Sequence, residues 1–304
     1  MYETIYAFLQ SLLAIRDVDQ IWLLLSLIGV DIGLTWFLRK KYYAATDSLC
    51  SVVLALTYAA TIALSAGTIL VSLYWVHQFA FIETDWTSSI ALILGAYVII
   101  DFAFYWYHRA IHEVRLGWAA HVGHHSSQYF NVGTALRSSF VETWLEPLML
   151  MPVVLLGIDP IMAIALMSLN HLYQYWLHTQ HIGKLGPVEW VMNTPSHHRV
   201  HHGSNLQYCD RNYAGTFIVW DRMFGTFEPE VEKPVFGIRH QLESHNPLTA
   251  MFHEWVALAR DLISARSVYE FLGIMFGPPG WRADGTGETT RMMQAKAKEA
   301  TQKA

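Results

Sequence analysis

The spacing of histidines is the chemically informative feature of this chain. His108 and His112 read H-x3-H, and His121, His124 and His125 read H-x2-HH. His197, His198, His201 and His202 read HH-x2-HH, and His178 stands between the second and third motifs. Of 16 histidines, twelve lie between His108 and His202. On a helix, residues three or four apart share a face. His108 and His112 can therefore present two imidazoles to one ion, and His121, His124 and His125 can converge on one side of a helix. A tetrahedral zinc site takes four ligands and a catalytic one three. Eight or nine imidazoles fit two metal ions sharing a site. Neutral imidazole is costly to bury without partners, so packing alone does not account for the cluster.

Imidazole suits iron, copper, nickel and zinc alike, so the ligand type leaves the metal open and context decides. The motifs begin where an apolar segment ends and alternate with lipid-facing stretches. Unactivated lipid C–H bonds need a redox metal with O2, and zinc has no redox chemistry. Iron is the better fit. A zinc hydrolase is disfavoured, because His112-Glu113 is not followed by the second histidine of H-E-x-x-H. A membrane zinc or iron carrier is the rival from another class. It should place polar groups along several spans, whereas these histidines crowd at one side. His171, seven residues before His178, and His181 are further candidate ligands. His77, His240, His245 and His253 are expected to be structural. Metal-bound imidazoles need acceptors on the second ring nitrogen, and Asp101, Glu113, Asn131, Glu142, Asn170, Asn205, Asp210 and Glu228 are candidates. Asp101 lies inside an apolar run, where a carboxylate is expensive and points to function.

The elements that must position these residues are apolar. Hydrophobic residues make up 53% and charged ones only 15%, against about 25% charge in a soluble domain; mean hydropathy is +0.24. About 20 apolar residues cross a bilayer core of about 30 Å. Ile21 to Leu38 (with Asp31 inside it), Leu49 to Val76 and Ser88 to Tyr107 qualify. Arg39-Lys40-Lys41 places the first loop in the cytoplasm, which puts the N-terminus outside and every histidine motif on the cytoplasmic face. Pro147 to Ile158 and Ile161 to Trp176 form a hairpin turned at Gly157-Ile158-Asp159-Pro160, either crossing fully or dipping in and returning. Thr216 to Trp220 reads as a short strand, and Met251 to Leu262 as an amphipathic surface helix. Gly277-Pro278-Pro279-Gly280 is expected to end the ordered body. Residues 1–290 then form one domain, with the histidine region at about 95–230, and 291–304 a polar tail. The net charge of −5 excludes a nucleic-acid partner. Cys50 and Cys209 make no disulfide framework. Glu3, without a basic n-region, argues against a cleavable leader. The fold class expected is all-α: an integral-membrane helical bundle with a cytosolic, histidine-rich di-metal cap.

The tripartite pattern H-x3-H, H-x2-HH, HH-x2-HH resembles the fatty acid hydroxylase/sterol desaturase superfamily. The flanking words HHSS, TALR, NTPSHHRVHHG and WDRMFGTFE are more specific and resemble its ether-lipid monooxygenase branch. The resemblance implies two irons at a cytosol-facing site, O2 as oxidant, and an ether lipid or related glycerolipid as substrate. Fatty acyl, sterol, carotenoid or aminolipid oxidation is the alternative within the superfamily. It assigns ligand roles to His108, His112, His121, His124, His125, His198, His201 and His202, with His178 a further family histidine and His197 part of the motif. Glu228 matches a family glutamate that supports the site; with Asp101 it is the expected catalytic carboxylate. The reductant implied is tetrahydrobiopterin or an electron-carrier protein. The short chain points to a bacterial inner-membrane setting.

Overall fold

A computed structural model describes residues 19–303; the reading of a leader at Glu3 falls outside them. Among the described residues the chain is all helix. In order the helices are α1 (Asp19–Phe37), α2 (Ala45–His77), α3 (Ile90–Glu113), α4 (Arg115–His125), α5 (Glu142–Leu155), α6 (Pro160–Tyr175), α7 (Pro195–His201), α8 (Val219–Phe224), α9 (Pro247–Ser264), α10 (Val268–Phe276) and α11 (Thr290–Lys303).

Helices α2 and α3 are long and apolar enough to cross a membrane. Their 33 and 24 residues extend about 50 and 36 Å at 1.5 Å per residue. Both expose large apolar side chains, Leu64 of α2 being 87% exposed, as a lipid-facing helix requires. Helix α1 carries the shorter apolar stretch Trp22–Phe37. The protein is thus a helical membrane protein. Helix α3 runs beyond the span expected to end at Tyr107, so His108 and His112 ride on its last turns.

The α5–α6 hairpin packs along α2 and α3 for the whole distance from the histidines to the far loop. Leu73, Ile100, Phe104, Val153, Val154 and Leu166 belong to the buried cluster between these four helices. At the tip, Trp86 donates to the Leu156 carbonyl at 3.1 Å and His77 Nδ1 lies 3.0 Å from the Val154 carbonyl. The hairpin tip therefore lies at the level of the α2–α3 loop. Gly157 turns it at φ +83°, and a Cβ there would lie 2.0 Å from the Ile82 carbonyl oxygen, so only glycine fits. Pro160 and the Asp159 side chain, which accepts from the Ile161 and Met162 amides, start α6.

Two expectations fail here. Thr216 to Trp220 is not a strand: it makes one isolated bridge, Met192 to Phe217, before α8 begins. The Thr216 and Phe217 amides donate to the Asp101 carboxylate instead of a neighbouring strand. The body also does not end at Gly280. The Glu288 amide donates to the Gly280 carbonyl and turns the chain back. Arg291 then pairs with Glu113 at 3.1 Å, and Gln294 donates to the Leu206 and Cys209 carbonyls. The segment read as a polar, loosely helical or disordered tail forms α11, whose first turns dock on the histidine-bearing cap. The surface helix expected at Met251 to Leu262 lies within α9.

Arg137 ties the cap to the bundle. It is 2% exposed and pairs with Asp47, in the first turn of α2, at 2.5 Å. It also donates to the hydroxyls of Ser51 and Ser126. Removing one partner of a buried pair strands the other and costs about 3–5 kcal/mol. Arg137→Ala is expected to lower the melting temperature in detergent by that equivalent, and Arg137→Met with Asp47→Leu to recover part of it. An unchanged melting temperature for Arg137→Ala would contradict this role.

Candidate metal centre

Four segments bring the motif histidines together. The last turns of α3 supply His108 and His112, α4 supplies His121, His124 and His125, the turn after α6 supplies His178, and α7 with its C-cap supplies His198, His201 and His202. Their ring nitrogens fall into two adjoining groups. His108, His112, His121, His125 and His201 form one, and His124, His178, His198 and His202 the other, with ligand atoms in each within 4.8 Å of one another. Helix periodicity makes the division. His121 and His125, four apart, share the first group, while His124 is rotated about 100° from His125 and faces the second. Likewise His198 and His202 pair in one group and His201 turns to the other. The rings of His125 and His202 stack at 4.3 Å where the groups meet.

The hydrogen bonds of the rings fix what the other nitrogens present. Nδ1 of His108 donates to the Tyr213 carbonyl at 2.7 Å, and that of His124 to the Arg137 carbonyl at 3.1 Å. Nδ1 of His178 donates to the Gln174 carbonyl and that of His201 to the Arg211 carbonyl, each at 3.0 Å. His121 Nδ1 meets the Glu142 carboxylate. A carbonyl can only accept, so each Nδ1 holds the proton and each Nε2 is a lone pair. The Nε2 lone pairs of His178 and His124 face each other at 3.4 Å, and Nε2 of His198 lies 2.9 Å from that of His178. Facing lone pairs repel unless a cation lies between them. Ligands about 2.1 Å from a metal place their nitrogens about 3.0–3.4 Å apart at tetrahedral to octahedral angles, as here. His112 Nε2 and His201 Nε2 are buried with no hydrogen-bond partner among the described residues. The donor set fits metal ions.

Burial disfavours the charged form of six of these rings. Desolvation, reinforced by neighbouring imidazoles, holds His124, His125, His198 and His202 well below the usual histidine range. Desolvation likewise lowers His178 to about 4 and His201 to about 3. Neutral imidazole is the form that binds metal.

Other expected site residues lie elsewhere. His197 is buried but belongs to neither group; its ring packs on Phe227 at 5.4 Å. Asp101 does not reach a histidine. It accepts from Asn170, the Thr216 and Phe217 amides and Trp220 Nε1. It thereby pins the loop that carries the Tyr213 carbonyl to His108. Gly215 permits this approach, since a Cβ there would lie 2.6 Å from Asn170. Glu228 contributes its backbone, exchanging two hydrogen bonds with the Asn212 side chain. His181 bonds Thr35 of α1 at 2.9 Å, near Asp31, and docks that helix. Of the acids proposed as imidazole partners, Glu142 fills that role; Glu113 pairs with Arg109 and Arg291. The backbone carbonyls were missed, because every residue has one and no side-chain pattern marks them.

A cavity of about 700 Å3 opens onto His112, His125, His201 and His202. Its walls include Trp118, Arg115, Trp281 and the start of α11.

A membrane helix bundle capped by two adjoining imidazole groups defines the class. Residues 93–226 match the Fatty acid hydroxylase family, and the chain belongs to that superfamily. It is 41% identical to alkylglycerol monooxygenase of Xenopus tropicalis over 209 residues, covering 69% of this chain and 46% of that protein. It is 35% identical to human alkylglycerol monooxygenase over 260 residues, covering 84% and 58%. Ornithine lipid hydroxylase of Rhizobium tropici is 29% identical over 144 residues, covering 47% and 43%. The chain thus spans about half the length of the alkylglycerol monooxygenases it matches. No solved structure matches it.

Glu142→Ala is expected to weaken metal binding by about 10–100-fold, the usual cost of losing an imidazole's outer partner. His197→Ala should leave metal content unchanged. Chelator competition with metal analysis reads both; equal loss in the two variants would contradict the grouping.

Proposed function

We propose that the chain is a membrane-bound monooxygenase that uses two irons and O2 to hydroxylate a lipid C–H bond, with glyceryl ethers as the substrate class. The observation that carries this reading is the pair of imidazole groups, nine rings whose nitrogens converge, at one end of a membrane bundle. Similarity to alkylglycerol monooxygenases supports the ether-lipid substrate. When bound, iron would supply the redox chemistry with O2 that neither zinc nor the side chains provide.

The first group would hold one iron through His108, His112, His121, His125 and His201, and the second the other through His124, His178, His198 and His202. Glu142 and the Tyr213, Arg137, Gln174 and Arg211 carbonyls keep the rings oriented and their Nδ1 protons in place. The apolar bundle keeps water from the membrane side, so a lipid chain can approach laterally. The polar cavity on the other side offers a path for a reductant, either tetrahydrobiopterin or an electron-carrier protein. Oxidation of the carbon next to an ether oxygen yields a hemiacetal, which separates into aldehyde and alcohol.

Arg39-Lys40-Lys41 follows α1, whose Asp31 accepts from Thr179 of the cap, so these charges lie at the histidine end. The positive-inside rule then puts the histidines in the cytoplasm. A metal carrier is disfavoured because 93–100, 149–155 and 161–168 hold no charged residue to pass an ion along.

Lipid profiling of cells grown under dioxygen labelled with heavy oxygen tests the reading. Wild type should place label in one lipid class and His125→Ala in none. Unlabelled lipids from wild-type protein that carries its iron would overturn it.

A further inference from the structure

One helical turn below the imidazoles, inside the bundle, lies a polar group that the metal centre does not use. Glu146 follows Glu142 by one turn of α5. His171 precedes His178 by two turns of α6, and Tyr107 adjoins His108 on α3. Tyr58 of α2 donates to Glu146 at 3.3 Å, and His171 Nε2 lies 3.7 Å from the other Glu146 oxygen. The Tyr107 ring lies 6.4 Å from that of Phe104, and Tyr175 follows His171 by one turn of α6. A single ring separates this group from the metal centre: Phe104 lies 5.2 Å from His108 and 5.9 Å from His171.

Glu142 is fully engaged, with His121 on one oxygen and the Ser139 amide on the other. Glu146 has only the two long contacts. The Tyr107 and Tyr175 hydroxyls donate to nothing among the described residues. At membrane depth an unused polar group is costly, and an ionisable one there marks a functional site. The group also borders open space. The His171 and Glu146 side chains are 33% and 19% exposed, whereas Ala163, Val154 and Leu166, deeper in the bundle, are 2% or less.

We propose that Glu146, His171, Tyr58, Tyr107 and Tyr175 form a pocket that binds the hydroxyl groups of the lipid whose reacting carbon faces the imidazoles. This rests on the function proposed above and narrows its substrate to hydroxyl-bearing lipids. In a glyceryl ether the nearer hydroxyl oxygen is four bonds from the carbon beside the ether oxygen. That reach is comparable to one helical turn, about 5.4 Å. The Glu146 carboxylate and the tyrosine oxygens accept from the hydroxyls, and the tyrosine O–H groups donate to them. A plain hydrocarbon chain, or a lipid with blocked hydroxyls, would leave these groups unpaired, the kind of mismatch that gives strong discrimination.

The test is equilibrium binding to the metal-loaded protein in lipid nanodiscs, with hexadecyl glyceryl ether and its di-O-methyl derivative as probes. Wild type should bind the free diol at least about tenfold more tightly, the equivalent of one net hydrogen bond of about 1.4 kcal/mol. Glu146→Gln and Tyr107→Phe should bind the two lipids alike while keeping wild-type metal content, which shows that they fold. Equal binding of both lipids by wild type, or a preference that survives both substitutions, overturns the pocket. Because binding is read without turnover, a diol preference in a protein that oxidises neither lipid supports the pocket and overturns the reaction instead.

Discussion

Lone pairs aimed at lone pairs constrain the whole molecule. Each of His108, His124, His178 and His201 gives its Nδ1 proton to a carbonyl and so has only a lone pair to offer inward. Desolvation opposes protonating His124, His178 and His201, the three of these rings outside the membrane helices. The cluster cannot relieve itself by taking up protons as a surface histidine would. Cations between the rings remove the repulsion, so metal binding and folding of the cap become one equilibrium.

Much of the remaining polar structure holds those carbonyls still. Asp101 anchors the 216–217 amides on α3, and Asp221 accepts from the Tyr213 and Ala214 amides and the Thr226 hydroxyl. Burial raises the Asp221 carboxyl to about 6, and these hydrogen bonds oppose the shift. Together the two acids fix the Tyr213 carbonyl over His108. Arg137 does the same for His124: its guanidinium is tied to Asp47 at the head of α2, and its own carbonyl takes the ring proton. Two carboxylates therefore orient an imidazole they never touch, and the pairing of one arginine side chain fixes the carbonyl that holds another. This is why Asp101 matters without standing at the metal centre.

What could be read in the sequence follows from periodicity and composition. The apolar runs placed the long helices, and the spacing of the histidines marked them as side chains that could converge. The partition between the groups was implicit in the same spacing, since three residues and four residues differ by one 100° step, yet it shows only once α4 and α7 face each other. The carbonyl partners were not legible at all. Asp101 looked catalytic because an acid in an apolar run signals cost, but the cost is met by four donors rather than by a metal. The helicity of α11 was one of the readings its composition allowed, but its docking was not legible, because it uses Gln294 on carbonyls and one arginine.

The centre also sits where two solvents meet, and the bundle grades from one to the other. The far half is packed mainly by apolar side chains. One turn from the imidazoles come Glu146, His171 and the tyrosines, then the rings themselves, then a polar cavity walled by α4, α9 and α11. A centre placed deeper would leave its carboxylate and carbonyl partners without the cap that supplies them. One placed farther out would lose the desolvation that keeps its rings neutral. The length of α3 resolves this conflict: it runs past the bilayer-spanning stretch by about two turns, enough to carry His108 and His112 into the cap while Asp101 stays behind as its anchor.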